Sequence, residues 1–280
     1  MTTMIARQSA QIISDLQKYF PLFLLTLTRH ARGMDDLKAQ WLQQCLHLAG
    51  RPSSLWPHER KILRNQRMTF VLDNNLSLDD IGYTDLKAGA LERLYLHQES
   101  REAALVQWRQ RKKGKFTSVG FHTFNHLTKR SGIVGMQGPC MIGVAVTDTG
   151  REVSANVAYR STECCKKLPA DLIFLRDVLL SPFGVTTVTI NFANVTAHPL
   201  YFPILFPLLE DPVGELRALQ LRYPRFWRVV VREGRDLLCG GARNANFMQA
   251  QRVTRHVLAH TDRATLKELR AYLSSTQGVP

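Results

Sequence analysis

The chain of 280 residues is poor in cysteine, holding only Cys45, Cys140, Cys164, Cys165 and Cys239. Their odd number and irregular spacing, with no secretory signal in view, exclude a disulfide framework, and a reducing, cytoplasmic setting is expected. No CxxC pair is matched by a second Cys or His pair, so no zinc site is expected. Long apolar runs are lacking as well. The longest, around Phe20–Leu27 and Pro199–Leu209, are interrupted by proline and fall short of the ~20 residues that cross a bilayer. A soluble protein with no membrane partner is expected. Acidic residues are scarce, 23 against 37 Lys and Arg, for a net charge of +14. That balance favours an anionic partner, whether a nucleotide phosphate, a nucleic acid or an acidic protein. No internal repeat or low-complexity segment is present, which leaves an ordinary globular fold, and 45% hydrophobic content is enough for one substantial core.

What is present falls into three stretches. The first reads as helical: Ile12, Ile13, Leu16 and Phe20, then Leu37, Trp41, Leu42, Cys45 and Leu48 recur at three- and four-residue steps. Gly33 and the segment from Gly50 to Ser54 break it, and Asp79, Asp80 and Asp85 precede a further helical stretch from Leu86 to Arg109. The centre reads as sheet, with strands expected over 116–121, 141–147, 152–159 and 186–192, and a hairpin turn at Asp148-Thr149-Gly150. A helix is expected between the last two, over 169–180, and another strand over 227–231. Helices close the chain over 244–258 and 265–273. The class is α+β, a mixed sheet with flanking helices. Three regions are expected: a helical 1–110, a sheet core 111–235 and a helical 236–280, or all of these as one domain.

The stretch from Gly138 to Asp171 carries the chemistry: Gly138-Pro139-Cys140-Met141, a hairpin, Tyr159-Arg160-Ser161-Thr162-Glu163, then Leu168-Pro169-Ala170-Asp171. Taken singly, Cys140 fits a small buried hydrophobe, Arg160 and Asp171 fit an ion pair, and Pro169 fits a helix start. Together they resemble the thymidylate synthase family, which includes the deoxycytidylate and cytidylate hydroxymethylases. There a Pro-Cys carries the nucleophile, an Arg-Ser-x-Asp motif begins 20 residues on, and a Leu-Pro-Phe-Asn segment sets its base-reading residue 11 beyond the arginine, the intervals of Cys140, Arg160 and Asp171 here. The resemblance runs over roughly residues 113–201 and implies the family's mixed sheet. It also implies a reaction in which a cysteine thiolate adds to carbon 6 of a pyrimidine, so that carbon 5 attacks a one-carbon electrophile. Arg160 would favour the thiolate and hold the nucleotide phosphate with Ser161. Asp171 stands where uracil-acting members have Asn, and its acceptor character suits the exocyclic amine of cytosine.

Further residues follow from the same resemblance. Glu92, in Glu92-Arg93-Leu94-Tyr95-Leu96, matches the family's proton-handling glutamate, with Glu59 as a second candidate. Lys113 and Lys115, flanking Gly114 ahead of the sheet, would reach a phosphate, as the family's paired arginines do across a homodimer. His198 and Tyr201 would hold the sugar, and Glu163 would help hold the folate. Met141 stands where many synthases have His. The implied activity is hydroxymethylation of dCMP or CMP with 5,10-methylenetetrahydrofolate, as in bacteriophage DNA modification. Methylation of dUMP is the nearest alternative, and a catalytically altered nucleic-acid-binding or assembly protein is another.

Overall fold

The computed structural model describes residues 37–50, 61–72, 90–112, 114–123, 140–222, 224–240 and 247–276. Its centre is a five-stranded mixed sheet of β1 (Lys61–Val71), β2 (Thr117–His122), β3 (Met141–Asp148), β4 (Val153–Glu163) and β5 (Thr187–Ala197), in the order β1-β5-β4-β3-β2. The hairpin expected at Asp148-Thr149-Gly150 joins β3 to β4 antiparallel. β4 and β5 run parallel, which requires a crossover between them. Helix α4 (Leu168–Phe174), extended by a π-turn over Leu175–Leu179, supplies it. Pro169 in its first turn already has the φ a helix needs and gives up only an amide without an intrahelical partner.

Alternation in the strands sorts the sheet into two faces. In register across all five strands lie Met68, Ile190, Val157, Val144 and Phe121, and beside them Phe70, Val188, Ala155, Val146 and Val119. All of these are buried. The alternate rows read Arg67, Asn191, Ala158, Gly143 and His122, then Thr69, Thr189, Asn156, Ala145 and Gly120. Small and polar residues prevail there, and most of these positions are exposed. One face is thus the core and the other is open, as period two dictates.

The remaining helices are α1 (Leu37–Gly50), α2 (Ala90–Tyr95), α3 (Gln98–Arg109), α5 (Pro212–Arg222), α6 (Pro224–Leu238), α7 (Phe247–His260) and α8 (Arg263–Ser275). One cluster of buried apolar side chains runs from Leu37 through the sheet to Leu273. The expected helical, sheet and helical regions therefore share a core, and the boundary expected at 235 falls inside α6. The 3₁₀ segment Pro199–Leu208 bridges sheet and C-terminal helices, its Phe202 ring meeting Phe226 at 5.0 Å and Trp227 at 5.4 Å.

Three expectations need correction. The region 1–110 is not wholly helical, because Lys61–Val71 forms the edge strand β1 beside β5. Arg64, Asn65, Arg67 and Thr69 are exposed along it, and this polar run hides the alternation of Met68 and Phe70 toward the core. The strand expected over 227–231 lies within α6, where Phe226, Trp227, Val230, Val231, Gly234, Leu237 and Leu238 are buried at helical spacing. The stretch from Leu86 to Arg109 is not one helix: α2 and α3 are separate, and the His97 ring caps α3 by accepting from the Ser100 amide at 3.2 Å. No helix among the described residues is long and apolar enough to cross a membrane.

Candidate functional site

Cys140 enters β3 just ahead of a register shift between Met141 and Gly143. A bulge of this kind twists a strand end and re-aims its side chains. Across the ladder the Arg160 amide donates to the Cys140 carbonyl at 2.7 Å, and the Ser161 hydroxyl lies 3.6 Å from the Cys140 sulfur. Cys140, Arg160 and Ser161 are all half-buried. The 20-residue interval in the sequence is therefore a hairpin: the chain leaves along β3, turns, and returns along β4 to the same end of the sheet.

Asp171, in the first turn of α4, is buried, and one carboxyl oxygen accepts from the Thr162 hydroxyl at 3.3 Å. Burial pushes its carboxyl up to about 7, against the pull of the Thr162 hydrogen bond and the Lys167 charge. Near neutrality this group exists both as a neutral acid, able to donate and accept, and as a carboxylate that only accepts.

Two tyrosines complete the site. Tyr95, at the end of α2, meets the Tyr159 ring edge-to-face at 6.4 Å and the Phe174 ring at a tilt at 6.1 Å. Its hydroxyl is held protonated by burial first, then by the charges of Asp171 and Cys140, and it interacts with both the backbone and the thiol of Cys140. Tyr159 is raised in the same way by burial, then by Asp171, Tyr95 and Cys140. Among the described residues its buried hydroxyl has no hydrogen-bond partner. Such an atom costs roughly 1–3 kcal/mol unless a ligand or ordered water meets it. Sequence reasoning passed over both residues. Tyr95 had a signal, since it stands three places after Glu92 on the helix already singled out.

Other expected residues are placed differently. Glu92 is exposed on α2, and it is Tyr95 of that helix that meets Cys140. Glu163 is buried, and its carboxyl accepts from the backbone amides of Lys166 and of His198, the latter at 3.2 Å. Burial first and Cys164 second raise its pKa well above the carboxylate range. It organises a turn and does not offer itself to a pterin. His198 accepts from the Leu200 amide at 3.2 Å, capping the 3₁₀ segment, and the Tyr201 hydroxyl donates to Gln249 of α7. Tyr201 thus ties the segment after β5 to α7, while His198 caps that segment.

Lys115 is exposed ahead of β2, beside Gly114, which packs against Gly150 of the hairpin turn. Cys140 is at the other end of the eight-residue strand β3, about 25 Å away at ~3.3 Å per residue. Lys115 is therefore not gathered at the Cys140 of its own chain. Lys113 and Glu59 lie outside the described residues.

The expected absence of a metal site meets a contrary observation. Cys45 of α1 and Cys164 and Cys165 after β4 converge, all buried, with their sulfurs within 4.8 Å of one another. The Cys45 thiol donates to the Cys164 carbonyl at 3.4 Å, the Cys164 and Cys165 sulfurs are 3.7 Å apart, and the Trp41 indole donates to the Cys164 carbonyl at 2.8 Å. Burial works against ionisation of Cys45, but hydrogen bonds from Cys164, Cys165 and Trp41 prevail and lower it to about 6. Only the adjacency of Cys164 and Cys165 hinted at this group in the sequence. No family model and no curated protein matches this chain.

Proposed function

We propose that the protein activates carbon 5 of a cytidine-type monophosphate, dCMP or CMP, as a pyrimidine hydroxymethyltransferase. The contact of the Cys140 sulfur with the Ser161 hydroxyl, 3.6 Å away, carries this reading: a nucleophile and a hydroxyl meet at one strand end, where the backbone of Arg160 pairs with that of Cys140. The thiolate adds to carbon 6, forming the C–S bond, and the electron pair of the 5,6 double bond moves through carbon 4 toward the ring nitrogen that takes a proton from Asp171, leaving an enamine whose carbon 5 is nucleophilic. Arg160 and Ser161 hold the phosphate by charge and hydrogen bond. Asp171 in its neutral form accepts from the exocyclic amine and donates to the ring nitrogen of cytosine. Tyr95, kept protonated by burial and by the charges of Asp171 and Cys140, would donate to the thiolate, and the Tyr159 hydroxyl, without a partner among the described residues, supports a polar occupant.

The resemblance implies methylenetetrahydrofolate as the one-carbon donor. Glu163, the residue assigned to it, is spent on backbone amides, so the described residues do not fit a pterin at that position and no step here runs through it. The open face of the sheet, with its small and polar rows, supports a homodimer formed by a second copy of this chain.

Release of tritium from carbon-5-labelled dCMP, CMP and dUMP tests the proposal, with and without methylenetetrahydrofolate. Release from a cytosine nucleotide, absent in Cys140→Ala, is expected. Release from dUMP alone would overturn the base assignment, and release from none would overturn the enzyme reading.

A further inference from the structure

The three converging thiols stand apart from the proposed nucleotide chemistry, which uses none of them. We propose that Cys45, Cys164 and Cys165 form a buried three-thiolate site for a soft, thiophilic d10 metal cation, with Cu(I) as the best fit.

Geometry supports this first. A cation about 2.3 Å from each sulfur needs sulfur–sulfur edges of about 3.8 Å in a tetrahedral arrangement and about 4.0 Å in a trigonal one. The Cys164 and Cys165 sulfurs are 3.7 Å apart and all three lie within 4.8 Å, so small side-chain rotations close the set. The donor set supports it second. Thiolates alone select soft ions, and hard cations that need oxygen find none in this group. Zn(II) takes four ligands almost always, whereas Cu(I) is satisfied by three sulfurs, and three are what the described residues gather.

Location gives the site a consequence. Cys45 belongs to α1, and Cys164 and Cys165 begin the turn between β4 and α4. A metal ion there would pin α1 to the strand that carries Arg160 and Ser161, beside the backbone contact already made by Trp41. All three sulfurs are buried, so the ion enters as the chain folds or when α1 opens locally.

The experiment uses the full chain, reduced and metal-free, titrated anaerobically with Cu(I) against a chromogenic Cu(I) chelator, and with Zn(II) in parallel. One Cu(I) per chain is expected, with uptake lost in Cys45→Ala and kept in Cys140→Ala and Cys239→Ala. X-ray absorption on the loaded wild-type protein should count three sulfur neighbours, a reading that stands even where Cys45→Ala does not fold. Zn(II) held by the same three sulfurs supports the site equally and reassigns its ion. No uptake of either metal, uptake unchanged by Cys45→Ala, or fewer than three sulfur neighbours would each overturn it.

Discussion

Asp171 and Cys140 do different work, and each leaves its own signature on measurement. An unfolded aspartate titrates near ~3.9, whereas Asp171 in the fold titrates at about 7 because it is buried. Between these values the folded chain keeps a proton that the unfolded chain has lost. Stability therefore falls as pH rises through that window, by at most about 1.4 kcal/mol per pH unit, and the loss is complete above 7. Asp171→Asn is neutral throughout, so calorimetry should find it gaining on the wild type at pH 8 and not at pH 4. The same substitution replaces an acid with an amide that suits uracil, and tritium release should shift from dCMP toward dUMP. Cys140→Ala should cut that release by at least about three orders of magnitude, since no other group supplies the adduct. Its melting temperature should barely move, because Cys140 is only half-buried. The pairing of Cys140 with Arg160 was legible in the sequence because a hairpin converts a fixed interval into ladder neighbours, and the place of Asp171 in a first helical turn was legible because Pro169 marks the helix start. Tyr159 was not, since a tyrosine next to Arg160 reads as an ordinary strand residue until its hydroxyl is seen buried without a partner among the described residues.

The β3–β4 hairpin is the element that assembles the site, and its turn lies at the end of the sheet remote from Cys140. Gly150 has φ +81°, and a Cβ there would meet Gly114 backbone at 3.1 Å. Gly184 has φ +69° with nothing within 4 Å of its Cβ position. Left-handed backbone alone costs a non-glycine residue roughly 1–2 kcal/mol. Gly184→Ala should lose about that much by denaturant unfolding, and Gly150→Ala should lose more because the close approach to Gly114 adds to it. Equal losses would show that the turn yields. Gly114, which the sequence sets between two lysines expected to reach a phosphate, packs its backbone against Gly150. The phosphate role given to its neighbour Lys115 fails within one chain because a strand of eight residues separates the two ends. β1 was missed for a related reason. Arg64, Arg67 and Lys61 crowd a short segment, and only pairing with β5 shows which of its residues face the core.

On the scale of the whole molecule, the open face of the sheet is where the proposed homodimer would form. The row containing Arg67, Asn191 and Ala158 is in register across the strands, and a second copy meeting this face by two-fold symmetry would bring this row against its own image. Sedimentation should find a dimer, and Asn191→Arg, which sets a cation beside Arg67 and against the same residue of the partner, should convert it to monomer. A monomeric wild type would remove this face from consideration. The sequence by itself determined the class, the central strands, the hairpin and the interval that pairs Cys140 with Arg160, because periods of two and 3.6 and a short turn are local properties. The tertiary structure alone decided that β1 edges the sheet, that Tyr95 reaches Cys140, and that Cys45 meets Cys164 across 119 positions of chain. Contacts at that separation follow from how apolar faces share one core, and no local period records them.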